Sequence, residues 1–115
     1  MTEVSRVTVN ELAQVQGFKA VTLPDGDRQI NGVYIGDLLS WVMGNAEQGN
    51  VWITIMTNIN TVAVATLVDV SCIILAEDTL PDENVLEVAL EKGVNILSTP
   101  LSAYKAAVLL SSVLN

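Results

Sequence analysis

Three short runs constrain this chain more than anything else in it: Val51–Met56, Ser71–Ala76 and Val94–Leu97. Each has the length of one β-strand. Ser71–Ala76 is apolar almost without interruption, the pattern of a strand covered on both faces and therefore of a parallel sheet. Val51–Met56 is rich in β-branched residues, which suit a pleated surface. Parallel neighbours cannot be joined by a tight turn. They need a crossover, usually a helix. The segments between the runs are long enough to supply one each. The sequence thus predicts an α/β fold: a small, mostly parallel sheet with flanking helices, in a single domain over residues 1–115.

The helices carry their own punctuation. Thr8-Val9-Asn10-Glu11 is a capping box, with Leu12 and Val15 as the apolar stripe and Gly17 as the expected stop. Phe18–Leu23 reads as a first strand, Pro24-Asp25-Gly26 as a turn, and Gln29–Ile35 as an extended segment broken by Gly32. From Asp37, the residues Leu38, Leu39, Val42, Met43 and Ala46 recur at helical spacing, and Gly49-Asn50 is the expected end. Thr61–Val68 suits a strand locally, but the crossover requirement makes it a helix, capped by Asn58 or Asn60. Pro81-Asp82-Glu83 is expected in the first turn of a helix that closes at Lys92-Gly93. Ser98-Thr99-Pro100 is expected to cap a last helix running to about Val113. Its apolar residues cover more than one face, which suggests a dimer contact.

Composition then removes whole classes of function. The chain has no histidine, so Ser/His/Asp and Cys/His nucleophilic sites and His-ligated metals are out. It has neither a P-loop nor a dinucleotide fingerprint. Net charge is −8, and the basic residues Arg6, Lys19, Arg28, Lys92 and Lys105 are scattered. That distribution fits neither nucleic acid nor an anionic membrane as partner. No apolar run is long enough for a membrane span, and Met1-Thr2-Glu3-Val4 does not open a signal peptide. The lone Cys72 lies inside an apolar strand and reads as an inert thiol. Together these point to the cytoplasm. The acids Glu77, Asp78, Asp82, Glu83, Glu87 and Glu91 read as a solvated helix face, and no metal or cofactor is expected. Charged residues are only 16% of the chain, against about 25% in typical soluble domains, so part of the surface is expected to lie against another chain.

One stretch combines features that could bind something: Asp27-Arg28-Gln29-Ile30-Asn31-Gly32-Val33-Tyr34-Ile35-Gly36-Asp37-Leu38-Leu39-Ser40. Gly32 and Gly36 allow close backbone approach, and the helix after Gly36 opens with free amides. If this loop faces Thr54–Asn60 across the strand ends, Arg28 meets an anionic group bidentately, Asp37 and Asn58 read polar edges, and Tyr34 stacks. Asp27, Gly32, Gly36, Ser40, Thr57 and Asn60 complete the candidate set. On the alternative reading, Asp27 and Arg28 pair with the fold and the glycines only shape a turn. Asp37 or Asp27 could act as a base near Thr57, but no partner group is identifiable, so the chain reads as a non-enzyme.

The same stretch carries a resemblance. Asp27-Arg28-Gln29-Ile30-Asn31-Gly32, Tyr34–Ser40, Asn60–Ala65 and Thr99–Tyr104 together resemble the signature of the DRTGG domain family, over almost the whole chain. The resemblance implies a fold similar to the N-terminal domain of HPr kinase/phosphorylase, without kinase activity, since the P-loop domain is absent. In some relatives such domains accompany CBS domains in regulated pyrophosphatases. It therefore implies a non-catalytic regulatory homodimer, and the ligand expected at the Asp27–Ser40 loop is a nucleotide or another small anionic molecule. A protein-interaction or scaffolding module is the alternative.

Overall fold

The computed structural model describes residues 7–114. Arg6 and the N-terminal Met1–Val4 considered above lie outside the described residues. Along the chain run α1 (Val9–Ala13), β1 (Lys19–Thr22), β2 (Val33–Ile35), α2 (Leu39–Asn45), β3 (Val51–Thr54), α3 (Ile59–Val68), β4 (Cys72–Leu75), α4 (Glu83–Lys92), β5 (Ile96–Ser98) and α5 (Ala103–Leu114). The sheet order is β1-β5-β4-β3-β2. β2, β3, β4 and β5 are parallel, and β1 is antiparallel to β5.

The three apolar runs form the centre of the sheet, as their sequence demands. Every residue of β3, β4 and β5 is buried. Each successive parallel strand is laid down on the same side of its predecessor. With right-handed crossovers, that puts all the crossover helices on one face. Accordingly, Trp52, Ile73, Leu75 and Ile96 pack with Val42 of α2, Val62 and Ala65 of α3, and Val85 and Ala89 of α4. The opposite face, with Val51, Ile53, Cys72, Ile74 and Leu97, is covered by Val9 and Leu12 of α1 and Ala106 and Leu110 of α5. α3 is a helix despite its valines and threonines, because only a crossover can join β3 to β4 in parallel.

Several boundaries differ from the sequence reading. α1 stops at Ala13, with Gln14 as its C-cap, and Gly17 turns the chain only later, at φ 113°. α2 ends at Asn45. Gly49, at φ 84°, serves the following turn, where a Cβ would meet the Asn31 side chain at 2.6 Å. Asp82 is the N-cap of α4, accepting from the Val85 amide, so Pro81 stands before the helix and not in its first turn. α5 begins after Ser102, whose Oγ accepts from the Lys105 amide, so the cap is Ser102 and not Ser98-Thr99-Pro100. At the amino ends of α4 and α5 a side chain that bonds the first free amides sets the boundary, and the proline falls outside the helix.

Candidate functional site

The candidate residues fall at two opposite ends of the sheet. β2 lies between them and is parallel to β3, with Val33 opposite Val51 and Ile35 opposite Ile53. Asp27, Arg28 and Gly32 therefore stand at the amino edge, while Gly36, Asp37, Ser40, Thr57, Asn58 and Asn60 stand at the carboxyl edge. Three strand residues separate the groups by about 10 Å. The expected single loop facing Thr54–Asn60 does not form, because the extended segment in its middle is itself a strand.

At the amino edge the residues are tied into the fold. Arg28 Nη1 donates to Asp69 Oδ1 at 2.6 Å, and its Nη2 to the Asp69 carbonyl at 3.0 Å. Asp69 is the left-handed C-cap of α3 (φ 66°) and also accepts from Gln48 Nε2. The Arg28 hydrogen bond holds the Asp69 carboxyl below its ordinary pKa, against the smaller opposing effect of burial. Asp27 accepts from Asn10 Nδ2, and the Gly32 carbonyl accepts from the Val51 amide. Three asparagines close this edge. Asn31 Nδ2 donates to the Gln48 carbonyl, and Asn50 Nδ2 donates to Asn31 Oδ1. Buried Asn95 accepts from the Asp25 amide and donates to the Asp25 and Ser71 carbonyls. The Arg28 guanidinium is thus committed to Asp69, which leaves the expected bidentate contact with an anion without its donor fork.

The carboxyl edge is more open. Asp37 Oδ1 accepts from Thr54 Oγ1 at 2.7 Å and from the Ile55 amide at 3.0 Å, which pins the start of the Thr54–Asn58 loop. The Gly36 carbonyl accepts from Trp52 Nε1, and a Cβ on Gly36 would sit 3.1 Å from the Tyr34 ring. Tyr34 is half-buried against the face that carries α2 to α4, so its ring is a packing element. Ser40 and Asn60 are exposed on α2 and α3. Asn58 is the α3 N-cap, with Oδ1 accepting from the Asn60 and Thr61 amides. With seven residues and no side-chain cap, α2 is too short to offer the anion site its glycine suggested. Between α3 and α4, Thr57, Asn58, Thr61, Leu75, Pro81 and Val85 line a notch of about 10 Å³, the room of one water molecule. The Thr61 Oγ1 there is buried with no hydrogen-bond partner.

One feature escaped sequence reasoning, and a second was legible only through Trp41 on a helix flank. Glu77 and Asp78, directly after β4, both adopt left-handed backbone at φ 58°. Their amides are held by the Leu101 and Thr99 carbonyls at 2.9 Å. Such non-glycine positions store strain and cluster at clamps and switches. Their signal was hidden, because acidic residues there read equally well as a solvated face. The second feature is an exposed apolar flank on β2 and α2, including Leu38 at 66% and Trp41 at 64%. Trp52, by contrast, is fully buried. Cys72 is buried, and burial pushes its thiol up to about 12. Among the described residues no group of acids or cysteine could hold a metal ion, and no helix is long and apolar enough to cross a membrane.

The DRTGG domain family matches residues 19–113, which takes in every strand of the sheet. The chain belongs to the DRTGG domain family. No curated protein matches it by sequence. Among solved structures, it is similar to the CBS and DRTGG domains of the regulatory region of Clostridium perfringens pyrophosphatase, complexed with the activator diadenosine tetraphosphate. The TM-score is 0.71 at 17% identity, and the match covers 84% of this chain and 43% of that one. This DRTGG domain therefore spans less than half the length of its structural neighbour. The likeness confirms the α/β fold with its mostly parallel sheet.

Proposed function

We propose that this chain is a non-catalytic regulatory domain that acts as a homodimer and senses a nucleotide or another small anionic ligand at the carboxyl edge of its sheet. The observation that carries the reading is the Glu77-Asp78 turn, two consecutive left-handed non-glycine residues bonded to the loop that opens α5. A ligand that reshapes this turn would move α5 directly, which is the kind of coupling a regulatory domain needs. The neighbour in the pyrophosphatase is part of a regulatory region and was captured with an activator, which supports the same role here. For the ligand side we assign Gly36, Asp37, Ser40, Thr57, Asn58 and Asn60. Among the described cations, Lys19, paired in register with Ser98 at the carboxyl end of β5, and Lys105 in the first turn of α5 belong to the side of the sheet away from β2. Asp27, Arg28 and Gly32 belong to the structural side, and Tyr34 to packing.

Thermal melting with about 1 mM AMP, ADP, ATP, diadenosine tetraphosphate or a cyclic dinucleotide tests the ligand. We expect a rise of several degrees with at least one of them, since a ligand at 100 times its Kd adds about 2.7 kcal/mol. Unchanged melting with all of them removes the ligand from the proposal. A second reading, an interaction module for a different protein, is favoured by the exposure of Trp41 and Leu38. A wild-type chain that stays monomeric in sedimentation up to several hundred micromolar would turn the argument towards it.

A further inference from the structure

The homodimer reading leaves open which surface joins the copies, and the apolar second face of α5, with Tyr104 and Val108 exposed, is one candidate. The edge of the sheet offers a more specific one. The Val51 amide donates to the Gly32 carbonyl, and the Gly36 amide donates to the Ile53 carbonyl. In a parallel ladder with this register, Gly32, Tyr34 and Gly36 serve β3, so the main-chain groups of Val33 and Ile35 point away from the sheet. Among the described residues, β2 is the last strand on that side. Its two outward residues are 38% and 48% exposed, with neither lysine nor proline to discourage pairing.

Charge selects the occupant. The whole chain carries −8, so identical copies repel over most of their surface. Between Gln29 and Ala46, however, Asp37 is the only charged residue, and its carboxylate is already bonded by Thr54 and Ile55. This uncharged flank is where a second acidic copy can approach at least electrostatic cost. A strongly basic partner would gain nothing from it.

Resting on the homodimer reading above, we infer that two copies join through β2, antiparallel across a two-fold axis at Tyr34, to form one continuous ten-stranded sheet. Such a contact is isologous, and it is self-consistent in register. Val33 pairs with the partner's Ile35 and the reverse, each pair exchanging two main-chain hydrogen bonds, while Tyr34 faces its own copy at a non-hydrogen-bonded position. Leu38, the N-cap of α2, and Trp41 on α2 are exposed in the element that follows β2, and would supply apolar burial beside the strands.

Sedimentation velocity and light scattering on the full chain test this. The variants are Ile35→Pro, which removes an outward N–H that takes no part in the β2–β3 ladder, and Val33→Lys, which places a like-charged pair beside the axis. Val108→Lys on α5 is the comparison. We expect a wild-type dimer whose dissociation constant weakens about 100-fold in Val33→Lys and Ile35→Pro but not in Val108→Lys, with the melting curve of Val33→Lys showing a folded chain. A dimer that survives Val33→Lys and yields to Val108→Lys overturns the β2 contact and leaves the homodimer standing on α5. A wild-type monomer overturns both.

Discussion

At the scale of single residues, the candidate side chains of Asp27, Arg28, Asp37 and Asn58 turn out to be bonded within the chain. Arg28 is the clearest case: its guanidinium is held by the carboxylate and carbonyl of Asp69, and the pair makes the pH dependence of the fold testable. Because the carboxyl of folded Asp69 lies below its unfolded value, near 3.9, the pair stabilises the fold above about pH 4 and loses that contribution as pH falls through the folded value. The Asp69 side chain is half-exposed, so the contribution is expected to stay under about 1 kcal/mol. Urea titrations between about pH 5 and 2 should show stability falling less steeply in Asp69→Asn, which keeps a residue tolerant of left-handed backbone. Thr61 is the opposite case, a buried hydroxyl with no partner. Thr61→Val keeps the shape and removes the orphan, so it should raise stability by about 1 kcal/mol, seen as a Tm higher by roughly 4–8 °C. A fall would mean that the hydroxyl is satisfied in solution.

At the scale of elements, the amino and carboxyl edges do different work. Asn95 shows how the amino edge is built: one buried carboxamide binds the turn at Asp25 to the start of β4 through Ser71. Asn95→Ala would leave an amide and two carbonyls without those bonds, and we expect a loss of about 2–3 kcal/mol in urea denaturation. A loss below about 0.5 kcal/mol would show that water replaces the carboxamide. The stretch carrying the family signature divides at β2 into a half bonded into this amino edge and a half that borders the carboxyl loops. Sequence spacing could not show that division, because three extended residues between glycines read equally as loop or as strand.

At the scale of the whole molecule, the sheet has no point where the order of parallel strands reverses, since β2 to β5 follow one another across it. Open α/β sheets usually bind ligands in the crevice at such a reversal. Here the crossover helices share one face, and a small notch lies between α3 and α4 at the carboxyl edge. A ligand at this edge is therefore expected on the loops at the strand ends. Joining two copies antiparallel through β2 would set the two α2 helices on either side of the axis and turn the two carboxyl edges, with their Gly36-Asp37 turns, to opposite ends of the joined sheet. Each copy then keeps its own site, so a ligand-induced thermal shift is expected to persist in Val33→Lys; a shift lost in that variant would mean that the site spans both copies.

The sequence by itself determined the class of fold, the parallel centre of the sheet and the helical state of Thr61–Val68. These follow from local rules, since apolar runs of strand length must be covered on both faces and parallel strands must be joined by crossovers. It also determined the absence of histidine chemistry and the inertness expected of Cys72, because composition and burial suffice for both. Tertiary structure alone decided which partners the polar residues take. Arg28 finds Asp69 and Asp37 finds Thr54 across long separations in sequence, and both pairings depend on the register of β2. The edge position of β2 and the left-handed turn at Glu77-Asp78 were likewise decided there, because strand order and backbone handedness arise only when the elements pack together.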